Sequence, residues 1–197
     1  MIRFFTLCLL SLLCSSCIQL GGEPEPTRYY LLAPLAETAV DINRPDLHVS
    51  LGPIEIPSYL DRPQIVTRTT DSEIVLANHD RWAEPLPENF IRTLQENLYQ
   101  QLGNVSITTT PWSPNSKTSY RITLALNRFD GVIDQQTNVD IRWSLLDATQ
   151  NKELQRGQFR AEIPINGSYP EFVNGLNIAL AEFSEGIAAV LRKQLFR

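Results

Sequence analysis

The sequence predicts an α+β fold, a single domain with a largely antiparallel sheet and two main helices packed on one face of it. Three observations carry this. Runs of alternating apolar and polar residues come in neighbouring pairs joined by short turn signals, as hairpins do. Two longer segments repeat apolar residues every three or four positions along one stripe. Helices with one apolar face and a sheet with one wet face satisfy each other when the helices share a side of the sheet.

The elements follow in order. Tyr29 to Leu32 is a first strand, and Pro34 to Pro45 reads as a loop. Leu47, Val49 and Leu51, then Ile54 and Ile56, mark a half-buried strand that Gly52-Pro53 interrupts with a bend or bulge. Pro57 to Pro63 is a turn-rich connection, and Gln64 to Thr69 and Glu73 to Ala77 form a hairpin around Thr70-Asp71-Ser72. The first helix runs from about Pro85 to Leu102. Its stripe is Leu86, Phe90, Ile91, Leu94, Leu98 and Leu102; Pro87 and Glu88 suit its first turn, and Gly103 its stop. Val105 to Thr110 is a strand and Pro111 to Ser119 a loop. Tyr120 to Asn127 and Val139 to Leu145 are long strands with one wet face. Leu154 to Ile163 follows, with Gly157 expected as a bulge. Ser168-Tyr169-Pro170-Glu171 has capping-box spacing ahead of the stripe Phe172, Leu176, Ala179, Leu180, Phe183, Ile187, Val190 and Leu191. Arg192, Lys193 and Arg197 sit where a helix C-terminus favours cations.

Ahead of the domain lies a leader. Arg3 is a short basic region, Phe4 to Leu13 an apolar run too short to span a bilayer, and Ser15-Ser16 supplies the small residues a peptidase needs. The pattern resembles the bacterial lipoprotein box, departing from it at Cys14, where Leu is usual. It divides the chain into a signal peptide at 1–16, a lipidated tether at 17–27 and the domain at 28–197, with Cys17 the acylated residue. A thiol is the side chain nucleophilic enough to take up a diacylglyceryl group. An ordinary secretion signal cut near Ser16 or Gly21 is the alternative. All three cysteines, Cys8, Cys14 and Cys17, fall in or at the end of the leader, so the domain has neither a disulfide nor a thiolate metal site. The formal net charge of −5 becomes about −6 when Arg3 leaves with the leader, which argues against nucleic acid as a partner.

No catalytic constellation can be assembled. His48 and His79 lack zinc-binding spacing, and His79-Asp80 with Glu84 reads as solvated or capping polar residues rather than acid/base groups. The expectation is a non-enzyme without a cofactor or metal. Two segments nonetheless stand out, Leu51 to Val66 and Asp80 to Leu86, each packing aromatic, Arg and Pro residues into a predicted connection. Such residues bury area at low entropy cost and suit a partner face, with Tyr59, Leu60, Arg62 and Trp82 as its candidate residues. The competing reading puts Tyr59 and Trp82 at the core edge.

The same segments carry a resemblance. Gly-Pro-x-x-x-Pro-x-Tyr-Leu-Asp-Arg-Pro-Gln-Ile-Val from Gly52 to Val66, then Arg-Trp-Ala-Glu-Pro-Leu from Arg81 to Leu86, resemble the PqiC (YmbA) family of ABC-transport auxiliary lipoproteins. The resemblance covers the chain after the leader and implies a small α+β fold. It also implies an outer-membrane lipoprotein facing the periplasm. Its partners would be a PqiB-like MCE protein, a tube across the periplasm, and indirectly a PqiA-like inner-membrane protein. The implied role is docking the tube at the outer membrane, in lipid transport and envelope integrity, and a homo-oligomeric ring is left open. Ile18 agrees, since an Asp after the lipidated cysteine commonly retains lipoproteins at the inner membrane. A lipid carrier with its own apolar cavity is the alternative function.

Overall fold

The computed structural model describes residues 25–34, 43–109 and 118–195. The leader, Cys17, the tether up to residue 24, residues 35–42 and 110–117, and Arg197 lie outside the described residues.

The described residues form eight strands and two helices in the order β1 (Arg28–Tyr30), β2 (Asn43–Glu55), β3 (Gln64–Arg68), β4 (Ile74–Trp82), α1 (Leu86–Leu102), β5 (Asn104–Thr109), β6 (Tyr120–Val132), β7 (Gln136–Asp147), β8 (Lys152–Pro164) and α2 (Tyr169–Leu195). They form a five-stranded sheet of order β5-β2-β6-β7-β8 and a three-stranded sheet of order β1-β4-β3. The predicted α+β class holds, and its longest ladders, β6–β7 and β7–β8, are antiparallel hairpins. The sheets are nonetheless mixed. β2 runs parallel to both β5 and β6, and β1 runs parallel to β4. Parallel pairing needs a crossover, and the excursion from β2 through β3, β4 and α1 supplies it.

Both helices lie on the five-stranded sheet, α1 against β5 and β2, α2 against β7 and β8. Every predicted apolar position of α1 is buried, as are Phe172, Leu176, Ala179, Leu180, Phe183, Ile187 and Leu191 of α2. Two aromatic pairs tie the layers: Phe90 of α1 meets Phe129 of β6 edge-on at 5.6 Å, and Phe183 of α2 meets Phe159 of β8 at 5.5 Å. The helices also bond each other. Asn97 Nδ2 donates to Ser184 Oγ at 3.2 Å, and Arg192 donates to the Gln101 carbonyl at 2.8 Å near the C-terminal end of α1. The helix ends obey their sequence signals. Gly103 has φ 64° and donates to the Tyr99 carbonyl, and the Ser168 hydroxyl accepts from the Glu171 N–H at 3.3 Å.

Three local readings are refined. The Gly52-Pro53 interruption is a register shift between Leu51 and Ile54, with a cis Gly52–Pro53 peptide. Gly157 is not a bulge: the shift on β8 falls beside Leu145 and Leu146, and Gly157 pairs regularly with Trp143. Its bare Cα lets the Trp143 indole lie over it, where a Cβ would come within 2.6 Å of the ring. The segment read as a connection from Asp80 begins inside β4, which continues to Trp82.

The small sheet joins the same core through Ile65, Val66, Ala77 and Trp82, and its strand β3 packs on β6. Past Leu126 a register shift turns that strand, so that Phe129 faces the core while Asp130 is buried beneath β3 and the turn before it.

Candidate functional site: a cleft between two motif segments

The turn from Pro57 to Pro63 is held from inside. Its backbone is closed by Leu60 N–H to Pro57 O and Arg62 N–H to Leu60 O, each 2.9 Å. Leu60 is 2% exposed and belongs to the core. Tyr59 is half-buried, and its hydroxyl donates to the Asp130 carboxylate at 2.9 Å. Asp130 also receives Arg68 at 2.8 Å and Arg128 at 3.0 Å, while the Arg68 guanidinium lies 5.4 Å from the Tyr59 ring centroid. Burial, with the Asp130 charge beside it, pushes the Tyr59 phenol above its usual range, so it stays protonated and donating at neutral pH.

The second segment is fastened to the first. Trp82 N–H donates to Pro63 O at 2.7 Å, and Ala83 N–H to Tyr30 O at 2.9 Å. Trp82 is 6% exposed. Asp80, two residues earlier, is buried and takes Arg28 at 2.8 and 3.0 Å and the Tyr30 hydroxyl at 2.7 Å. The Glu84 carboxylate accepts from Asn89 and Arg92 of α1, and the Asn89 side-chain Oδ1 accepts from Leu32 N–H at 2.9 Å. The strand end, the helix start and the turn therefore form one rigid corner.

Between the segments is a cleft of ≈ 340 Å³, lined by residues 61–63 on one side and 82–85 on the other. Two further concavities, ≈ 320 Å³ beside α1 and ≈ 280 Å³ over Trp143, do not bring the two segments together.

Of the residues singled out in the sequence, Arg62 lines the cleft partly exposed and Trp82 forms its buried wall. Leu60 and Tyr59 anchor the turn, and Cys17 lies outside the described residues. Sequence reasoning missed Asp130, Arg68 and Arg28, and read Asp80 as solvated or capping. The one available signal was Phe129, an apolar residue standing just past the point at Arg128 where the alternation breaks, which would have carried β6 as far as Asp130. Asp80 and Glu84, weighed as acid/base groups, are both engaged by cations.

The model of the ABC-type transport auxiliary lipoprotein component family matches residues 29–188, which takes in both motif segments, all of α1 and most of α2. The chain belongs to this family. It is 26% identical over 174 residues to the intermembrane transport lipoprotein PqiC of Escherichia coli (strain K12), covering 88% of this chain and 90% of that one. PqiC of Shigella flexneri gives the same figures. The fold is shared with solved structures. An uncharacterised protein superposes with TM-score 0.71 at 24% identity, over 85% of this chain and 99% of that one. A Xanthomonas campestris protein gives 0.67 at 13%, with the same coverage. The family is one of transport auxiliary lipoproteins and not an enzyme class. Its lipoprotein character implies a membrane-anchored protein of the cell envelope. Among the described residues no helix is long and apolar enough to cross a membrane.

Proposed function

We propose that this auxiliary lipoprotein is anchored through Cys17 in the outer membrane, faces the periplasm, and docks the far end of a PqiB-like MCE tube through the cleft between its motif segments. It works indirectly with a PqiA-like inner-membrane protein, in lipid movement between membranes and in envelope integrity. One observation carries the reading: two Pro-constrained segments, bonded to each other through Trp82 and Pro63, line a single cleft. Surfaces already ordered before association lose little entropy on binding. The printed name of the Escherichia coli relative, an intermembrane transport lipoprotein, supports the transport context. The lipid-carrier alternative draws no support from clefts of ≈ 280, 320 and 340 Å³ at the surface. Acyl chains on Cys17 would supply the membrane attachment, at ~0.8 kcal/mol per buried methylene.

Filling the cleft without touching the core tests the docking. Ala83 is exposed and lines it. Ala83→Trp is expected to leave the melting temperature unchanged and to weaken pull-down of the MCE protein by about tenfold or more. Undiminished pull-down would remove the cleft from the interface. Cys17→Ala is expected to abolish acyl labelling and to release the protein from outer-membrane fractions; unchanged labelling would reject Cys17 as the anchor.

A further inference from the structure

We infer that Arg62 and Arg81 form an anion site beside the cleft, and that the partner segment docking there presents an aspartate or glutamate carboxylate to it. This rests on the docking reading above and specifies the chemistry of what enters.

Among the described residues, three arginines have a buried Nε that meets no acceptor, Arg62, Arg81 and Arg121, and the first two lie in the motif segments. Arg28, Arg68, Arg92 and Arg128 each end on a carboxylate. Arg62 and Arg81 do not, and the Nε of each is buried without an acceptor. A buried donor left unsatisfied destabilises the free protein, so its persistence calls for an explanation. The nearby carboxylates do not serve. Asp80 is taken by Arg28 and Tyr30, Glu84 by Asn89 and Arg92, and the exposed Asp61 bonds neither arginine.

The pairing of strands brings the two arginines together. Arg81 stands opposite Gln64 in the β3–β4 register, and the next residue along, Trp82, bonds Pro63, the neighbour of Arg62. The two residues therefore flank one inter-strand bond, on a corner held by the Asp80 and Asp130 networks. A planar fork of N–H donors matches a carboxylate, and a pre-ordered one loses little freedom on binding. On the other side of β4, Tyr29 stands opposite Arg81 with 66% of its surface exposed, an aromatic flank for the same ligand. The size of the cleft selects the source of the anion. At ≈ 340 Å³, walled by Pro63, Trp82 and Pro85, it holds a few side chains and not the two acyl chains of a phospholipid. The carboxylate therefore belongs to a protein segment.

The test uses the full chain in detergent. Arg62→Gln and Arg81→Gln are each expected to weaken MCE pull-down by about tenfold or more, with Arg62→Lys recovering part of the loss and added salt reducing the difference. Melting temperature is expected to be unchanged or raised, because an unsatisfied donor has been removed; a clear fall would make the arginines structural and overturn the inference. Independently of the MCE protein, the probe peptide acetyl-Pro-Leu-Glu-Leu-Pro-amide at millimolar concentration should shift the Arg62 and Arg81 Nε–H resonances, and its Gln counterpart should not. Equal response to both peptides, or to neither, overturns the inference. So does a response to phosphatidylglycerol vesicles alone, which would assign the site to a lipid phosphate. The docking reading fails separately, if the unaltered chain does not capture the MCE protein at all. Loss of capture in Ala83→Trp but not in the arginine variants would keep the cleft and discard the anion site.

Discussion

Asp130 is the residue whose removal tests most directly how the site corner is built. Its side chain is fully buried and accepts from Tyr59, Arg68 and Arg128. The two cations differ. The Arg68 side chain is 14% exposed and that of Arg128 36%. Asp130→Ala would strand Arg68 in a largely dry position, whereas Arg128 can recover hydration. Breaking a buried pair by deleting one partner costs about 3–5 kcal/mol. With one of the two arginines rescued by water, the lower end, about 3 kcal/mol, is expected. For a chain of this size that is a melting-temperature fall of roughly 6–12 °C, readable by circular dichroism or calorimetry. The control is Arg128→Ala, expected to cost about 1 kcal/mol or less as a partly exposed ion pair does. The Tyr59 turn should also loosen, seen as faster amide exchange at Leu60 and Arg62, whose N–H groups close it. An Asp130→Ala protein within about 1 kcal/mol of the original would refute the argument, as would an Arg128→Ala loss equal to that of Arg68→Ala.

Phe183 is fully buried against Phe159, so Phe183→Ala should cost about 3–5 kcal/mol in urea unfolding; a change within error would mean that the α2 stripe does not pack on the sheet. Burial, then the hydrogen bond to Asp80 and its charge, pushes the Tyr30 phenol up to about 12. Because this folded-state value lies above the ordinary one near 10, its stabilisation is complete below about pH 10 and is lost as pH rises through about 12. Tyr30→Phe should flatten the alkaline decline of melting temperature in that window; an identical decline in both proteins would count against the Asp80 network.

The fold was legible wherever local pattern and tertiary burial agree. The α1 and α2 stripes, their caps and the wet-faced strands β6 and β7 follow from side-chain periodicity, because one face of each element must leave water. The parallel placement of β2 was not legible. Which strands become neighbours depends on where a long excursion returns, and alternation along a strand says nothing about its partner. Gly157 shows the same limit: a glycine in a strand serves equally for a bulge or for an overlying ring, and only the neighbouring Trp143 decides.

By itself the sequence determined the domain class, the leader ending at Cys17 as an expectation, and the two motif segments from which the family is recognisable. It also pointed to Tyr59, Leu60, Arg62 and Trp82, but with a single role in view. Only the tertiary structure separated those roles, sending Leu60 and Trp82 into the core, Tyr59 onto Asp130 and Arg62 to the edge of a cleft. The physical reason is that an aromatic ring or a guanidinium suits both a core edge and an interface. What distinguishes the two is whether its polar atoms find partners, and those partners, 71 residues away in the case of Tyr59 and Asp130, are brought within reach by the fold alone.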